Sequence, residues 1–580
     1  MKSENKKLIL LIFIFALATF GYTVYDKLFV PDRVELARTF YQAGDLTSLG
    51  RVFQQFPWLE CLGNTALQWA IFLLLLLSAH FLRPHLEKIS RWITGMPRFY
   101  FLSAVFLIAF LAAWGIFYFK YAFFPKSGDE NAILFQVKIL RQGTLTVPSH
   151  PLREFFDSDY IINNGKMYAE YPIGTSLFLL LGDFWGMPWI VNPLLGALGL
   201  VFLCLCGEHL YDNLSARFGV ILALCSPFYY SMAATYLSHA PQFFLLSVFI
   251  YFMLLTLQEK PRPYYPLISG LALGMAVNTR PMTAVTFSCP LLLWALYLLI
   301  KDWRGFYRRA LMFCLGLIPL ILMLFLINKI QNGSSLRFGH EIYNGTRPTL
   351  GFSELYSLRQ AVSALFFRMR LILYNLTFHP VRAGIILLFL ALSFVKYKPQ
   401  NSLLWSFFVF TCLGYLSVAS SIWQTRYYYA AVLYLFLLIP VGIINLGEWL
   451  KRHFNFACAA GLLTLFTLMV SASALYEAVT SDFKPASWLR VYQRPYLVAQ
   501  EHNLSNALVF LRSTKLYYPA WYTRNSPDLN DSVLWVQDLG EMNKELMEYY
   551  PDRKVYLYDF NGGDKAKDYN YGSGELQEIK

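Results

Sequence analysis

The run from Phe99 to Phe124, FYFLSAVFLIAFLAAWGIFYFKYAFF, is followed by PKSGDE, so that Asp129 and Glu130 stand within a few residues of its end. An apolar run of this length is enough to cross about 30 Å of hydrocarbon. A carboxylate at mid-bilayer costs roughly 2.5 to 3.5 kcal/mol on insertion scales, whereas one just past the end of a span is hydrated and still faces the membrane. That is where a base acting on a lipid head group would stand. The two carboxylates also fit as the first turn of a helix over Asn131 to Arg141, where acidic side chains meet unpaired amides and the helix dipole.

The rest of the chain repeats the pattern of the Phe99 run. Of 580 residues, 56% are hydrophobic, 18% aromatic and only 15% charged, which describes a polytopic α-helical membrane protein. Runs long enough to span lie near 7–24, 64–82, 99–122, 188–210, 217–233, 240–258, 263–280, 283–300, 309–327, 382–397, 401–419, 427–447 and 455–475, about thirteen in all. The net charge of +13 does not point to nucleic acid, because Lys and Arg cluster in short loops between the runs as topology signals do. With Lys2, Lys6 and Lys7 inside, alternation places Arg83 to Arg98, Arg217, Lys260 to Arg262, Lys301 to Arg309, Lys396 to Lys398 and Lys451 to Arg452 on the cytoplasmic side. The N-terminal run reads as an uncleaved span rather than a signal peptide. The eight cysteines lie in or beside apolar runs and form no metal-ligand pattern.

The same alternation sends outward the loop 123–187 with Asp129, the short loop Thr235 to Gln242, the segment Asn328 to Pro380 and the tail after Ala474. Within the first loop, Tyr171 to Trp185 reads as a helix lying at the interface. Residues 476–580 are more polar and read as a small external α/β domain. Its expected strands are Ala507–Leu511, Ser532–Val536 and Lys554–Tyr558, its helix is Glu541–Tyr549, and Tyr569–Lys580 is expected to fray. No glycine-rich phosphate loop occurs there, which argues against cytosolic nucleotide-sugar chemistry. The organisation expected is therefore an N-terminal membrane region 1–98, a catalytic membrane domain 99–475 and an extracytoplasmic domain 476–580.

The order Asp129-Glu130, Ala132, Leu140, Gly143, Pro148, Tyr168, Tyr171-Pro172-Ile173-Gly174 resembles the first external loop of the C-type membrane glycosyltransferases. That superfamily takes sugars from lipid phosphates and includes protein O-mannosyltransferases and the aminoarabinose transferases of lipid A. The resemblance implies an inverting transferase using a polyprenyl-phosphate sugar on the outer face of a membrane, here a bacterial cytoplasmic membrane, with a glycan, lipid or protein acceptor. No cofactor is expected beyond the donor lipid.

Such a reaction needs a base for the acceptor hydroxyl and cations for the departing phosphate. Asp129 is the candidate base, with Glu130 beside it supporting the loop or the acceptor. Arg280, in Asn278-Thr279-Arg280-Pro281, and Arg426, in Gln424-Thr425-Arg426-Tyr427, sit at outer ends of spans against the positive-inside bias. Guanidinium forks suit phosphate oxygens, so both are candidate phosphate ligands; snorkelling to head groups is the competing explanation. His239 stands where the family frequently carries a carboxylate, which leaves it acceptor positioning, a phosphate contact or a structural role. Tyr171, and Arg337 and Arg347 in the 328–380 segment, complete the candidate substrate-binding set. Two other functions fit lipid-linked glycans: an O-antigen polymerase or ligase, which relies on arginine-rich loops without an early Asp-Glu, and a flippase or transporter, which would bury charges at mid-bilayer.

Overall fold

The structure is a computed structural model, and it describes residues 58–580 apart from 346–350, 353–355, 377–379, 397, 419–424, 457, 487–488, 513–523, 561–574 and 580. Two helices open it, α1 (Trp58–Phe81) and α2 (Arg83–Gly95), bent by 84° at their junction. Pro84 lies in the first turn of α2, where a missing N–H costs nothing. The far end of α2 is held by Arg217, whose Nη1 donates to the carbonyls of Ile93, Thr94 and Met96 and so satisfies oxygens that a helix end leaves open.

Helix α3 (Arg98–Tyr121) stops where Ala122 and Phe123 turn left-handed, at φ 47° and 54°. The chain re-enters a helix, α4 (Gly128–Arg141), with Asp129 and Glu130 in its first turn. A small antiparallel sheet follows in the order β1 (Val147–Pro148), β3 (Lys166–Ala169), β2 (Ile161–Asn163). Helix α5 (Gly174–Asp183) is too short to span and leaves Phe184 and Trp185 exposed, in keeping with the interfacial helix read there. A Cβ at Gly174 would come 2.7 Å from the carbonyl oxygen of Asn278, so only glycine lets this helix start sit against the segment leading to Arg280.

The bundle continues through α6 (Val191–Leu210), α7 (Asn213–Leu224), α8 (Pro227–Ala233), α9 (His239–Thr256), α10 (Tyr264–Thr279), α11 (Pro281–Lys301) and α12 (Trp303–Asn332). Then come α13 (Gly339–Tyr343), α14 (Leu358–Leu376), α15 (Pro380–Leu392), α16 (Pro399–Leu416), α17 (Tyr429–Leu435), α18 (Leu438–Phe454) and α19 (Ala459–Glu477). Helix covers most of each predicted span from 64–82 onward, though 217–233 is the broken pair α7–α8, 382–397 outruns α15, and 427–447 falls on α17 and α18, bent by 43°. The first predicted span, 7–24, lies outside the described residues. Among the described residues six helices are long and apolar enough to cross a membrane, or eight if each of two bent pairs is one span.

Two expectations need correction. The segment 328–380 is not only loop: α14 buries Ala361, Ala364 and Ile372, an apolar stripe that the accompanying arginines obscure in the sequence. The chain end also does not simply fray, because Glu575–Glu578 forms β7 antiparallel to β6. Backbone pairing can recruit an edge strand that burial patterning does not reveal, and this one is largely exposed.

The C-terminal unit has α20 (Leu489–Glu501), β4 (Ala507–Arg512), β5 (Val533–Gln537), α21 (Asn543–Tyr549) and β6 (Lys554–Asp559). Its sheet runs in the order β5-β4-β6-β7, the first three strands parallel. Leu508, Phe510, Leu534 and Val536 share one core with Phe135 and Ile139 of α4 and with Phe155 and Phe156. The helix that carries Asp129 is therefore clamped from behind by the last strands of the chain.

Candidate functional site

Asp129 lies at the start of α4 with its side chain 15% exposed. The Tyr171 hydroxyl donates to its Oδ1 at 2.5 Å, and Arg426 places Nη2 at 3.3 Å from Oδ1 and Nη1 at 3.5 Å from Oδ2. Three segments far apart in sequence thus meet on one carboxylate. Burial, with Asp129 and Glu170 beside it, raises the Tyr171 phenol well above its ordinary value, so that it remains a donor. The Arg426 guanidinium, 17% exposed, has its Nε unpartnered.

Glu130 is fully buried and does something different. Its Oε2 accepts the backbone N–H of Tyr236 at 3.2 Å, while Oε1 has no partner. Burial raises its carboxyl, opposed by the nearby Lys126 and by the Tyr236 amide. Lys126 is pushed down to about 8 by burial, opposed by Glu130, and its Nζ donates to the Ser231 carbonyl at 3.3 Å. The Tyr236 hydroxyl donates to Phe123 O at 2.7 Å, and the Asn192 amide donates to the carbonyls of Thr235 and Leu237. These bonds pin the segment that delivers His239.

Arg280 is the residue between α10 and α11. Its Nη1 donates to Ser238 Oγ at 2.9 Å, and its Nε approaches Thr283 Oγ1 at 3.4 Å. The guanidinium lies 4.8 Å from the centre of the Tyr427 ring, which in turn stacks on Tyr415 at 4.9 Å. Among the described residues no carboxylate stands within ion-pair distance of Arg280. His239, 3% exposed, stacks at 6.3 Å from Tyr427 and has both ring nitrogens unpartnered. The structure thus brings Asp129, Tyr171, Arg426, Tyr427, Arg280 and His239 around one spot, where the start of α9, the end of α10 and the start of α17 meet.

The remaining candidates stand elsewhere. Arg337 is exposed, and its backbone donates to Ser334 O and accepts from the Asn332 amide. Arg347 lies outside the described residues. Sequence reasoning also missed three features. His340 Nδ1 stands 3.0 Å from Glu170 Oε1 and its ring meets Tyr171 edge-on at 5.3 Å, so α13 backs the tyrosine that holds Asp129. Lys126, in the short segment between α3 and α4, is the second, its ammonium set against Glu130. Arg368 of α14 is fully buried, with Nη1 donating to the Tyr428 hydroxyl at 2.6 Å and to Tyr415 O at 3.4 Å, bracing the tyrosines behind Tyr427. The signal for Arg368 was available: an arginine between Leu365-Phe366-Phe367 and Met369 is expensive in an apolar helix unless it is used. Among the described residues no group of three or more His, Cys, Asp or Glu side chains is placed to hold a metal ion.

Residues 172–327 match the family described as dolichyl-phosphate-mannose-protein mannosyltransferase, and residues 507–580 match a domain of unknown function, DUF7846. No curated protein matches the chain. Among solved structures, the chain is similar to ArnT from Cupriavidus metallidurans bound to undecaprenyl phosphate, at 12% identity and a TM-score of 0.48, over 79% of this chain and 92% of that one. It is also similar to the Archaeoglobus fulgidus oligosaccharyltransferase in its apo form, at 12% identity and a TM-score of 0.40, over 79% of this chain and 69% of that one. The family match covers α5, the His239 turn and Arg280, and leaves out Asp129, Tyr171 and Arg426. Among the described residues the six helices long and apolar enough to cross a membrane are in keeping with a multi-pass membrane protein.

Proposed function

We propose that this enzyme is an inverting transferase that moves a sugar from a polyprenyl-phosphate donor to an acceptor hydroxyl on the extracytoplasmic face of a bacterial cytoplasmic membrane. The observation that carries the reading is the Asp129 carboxylate at the start of α4, held by Tyr171 and Arg426 beside Arg280, which has no carboxylate partner among the described residues. In the proposed reaction an Asp129 oxygen takes the acceptor's proton as the acceptor oxygen bonds to the anomeric carbon. The bond from that carbon to the phosphate oxygen breaks on the opposite face, and its electron pair leaves with the phosphate. One direct displacement inverts the anomeric centre.

Arg280 holds the departing phosphate, where a guanidinium fork can place two charge-assisted hydrogen bonds. Arg426 orients the base through both Nη atoms and leaves Nε for the donor. Tyr171 fixes the Asp129 oxygen that it touches, Glu130 positions the His239 turn, and the segment with Arg337 and Arg347 flanks the entrance. About thirteen spans, with the loop 123–187 and the unit 476–580 outside, place all of these groups on one side. The donor lipid is the only small molecule that the reaction as written requires.

The test is release of free polyprenyl phosphate from radiolabelled polyprenyl-phosphate sugars in membranes that contain the enzyme. Asp129→Asn is expected to stay folded and inserted while losing at least ~100-fold in rate, the lower end for a general base. Near-normal release by a monodisperse Asp129→Asn protein would overturn the assignment of the base.

A further inference from the structure

One helical turn below His239, Gln242 is 2% exposed and neither its Oε1 nor its Nε2 has a partner. With both ring nitrogens of His239 also unpartnered, the first turn of α9 holds four buried polar atoms that make no hydrogen bond among the described residues. Residues three apart share one helix face. Leaving such groups unpaired costs about 1–3 kcal/mol each, so protein interiors rarely do so unless something else supplies the bonds. Here the face is that of His239, whose ring stacks with Tyr427, which in turn lies under Arg280.

The kind of atom left open identifies the ligand group. A neutral imidazole presents one donor and one acceptor, and a carboxamide presents an NH₂ and an oxygen. A phosphate offers only acceptors and would leave the imidazole nitrogen and the amide oxygen unpaired. Hydroxyls donate and accept, so a pair of them on one ring answers both side chains. Arg280, by contrast, is all donor and charge, which is what a phosphate takes. We propose that His239 and Gln242 form the subsite for the hydroxyls of the sugar being transferred, next to the arginine that holds its phosphate. This rests on the lipid-donor reading above and adds Gln242, and a role for His239, to it.

The experiment compares two probes in nanodiscs: bare undecaprenyl phosphate, and undecaprenyl phosphate carrying mannose, glucose or galactose. The unmodified protein is expected to bind at least one sugar-loaded lipid more tightly than the bare one. Gln242→Leu and His239→Phe are each expected to weaken that loaded lipid about ten-fold, as for one or two lost neutral hydrogen bonds, and to leave bare lipid binding unchanged. Gln242→Met, which keeps the length of the side chain without its donors or acceptor and adds no charge, is expected to behave as Leu does, and it is the second variant should the leucine protein fail to fold. Equal weakening of both lipids would make the pair a phosphate contact and overturn the inference. So would unchanged binding of both, or an unmodified protein that prefers no loaded lipid. If the unmodified protein binds neither kind of lipid, the lipid-donor reading itself fails, an outcome distinct from the others.

Discussion

The contact between Arg426 and Asp129 joins residues almost three hundred positions apart, and it distinguishes an arginine that serves the base from one that serves only the phosphate. Charge-assisted N–H···O bonds are best at about 2.7–2.9 Å. Here the three N···O contacts span 3.3 to 3.5 Å, and the two side chains are 17% and 15% exposed. Breaking a fully buried pair by removing one partner costs about 3–5 kcal/mol, and exposed pairs are worth about 0–1 kcal/mol. Long contacts and partial exposure put this pair between, at about 1–3 kcal/mol. The perturbation is a double-mutant cycle of Arg426→Ala and Asp129→Asn, followed by denaturant unfolding in mixed micelles and by the release assay. The expected result is a coupling of about 1–3 kcal/mol in stability, and an Arg426→Ala change that costs clearly less activity once Asp129 is already Asn, the remainder being the contact of its Nε with the donor. Stabilities that add to within about 0.5 kcal/mol would refute the reasoning. So would an Arg426→Ala effect on release that is as large in the Asp129→Asn background as in the native one.

Two further outcomes follow from the geometry. Arg280→Ala should weaken bare undecaprenyl phosphate about ten-fold to a hundred-fold, the loss of one hydrogen bond to a charged group at roughly 1.5–3 kcal/mol, and Lys at this position should recover only part because an ammonium lacks the fork. Full rescue by Lys, or unchanged affinity in the Ala variant, would mark Arg280 as a head-group anchor instead. The second outcome concerns pH. Lys126 and Lys138 are both pushed down to about 8 by burial. Between about pH 8 and the ordinary lysine value the unfolded chain therefore binds more protons than the folded one, so stability should rise with pH across that window. Lys126→Gln should flatten the rise measured by unfolding in detergent between pH 8 and 10, and an unaltered slope would contradict the burial of that ammonium.

Most of the membrane helices were legible because apolar runs bounded by Lys and Arg obey a one-dimensional rule: length against hydrocarbon thickness and charge against side. The strands at Ala507, Val533 and Lys554 were legible for a related reason, since each carries a short run of apolar and aromatic residues bounded by polar ones. The α14 helix and β7 were not, because α14 is apolar along one stripe only and β7 is chosen by an edge of β6.

The candidate site divides along the same line. The sequence by itself determined that Asp129 stands just beyond an apolar run and that Arg280 and Arg426 stand at the ends of such runs, since each of these is a statement about position along one chain. Only the tertiary structure decided that Arg426 meets Asp129 while Arg280 meets Ser238 and Tyr427, that Glu130 turns to the Tyr236 amide, and that Gln242 is buried without a partner. Which charge pairs with which depends on distances across helices brought together by packing, and Coulomb and hydrogen-bond energies change by their full value within an ångström or two. No spacing along the chain encodes that separation.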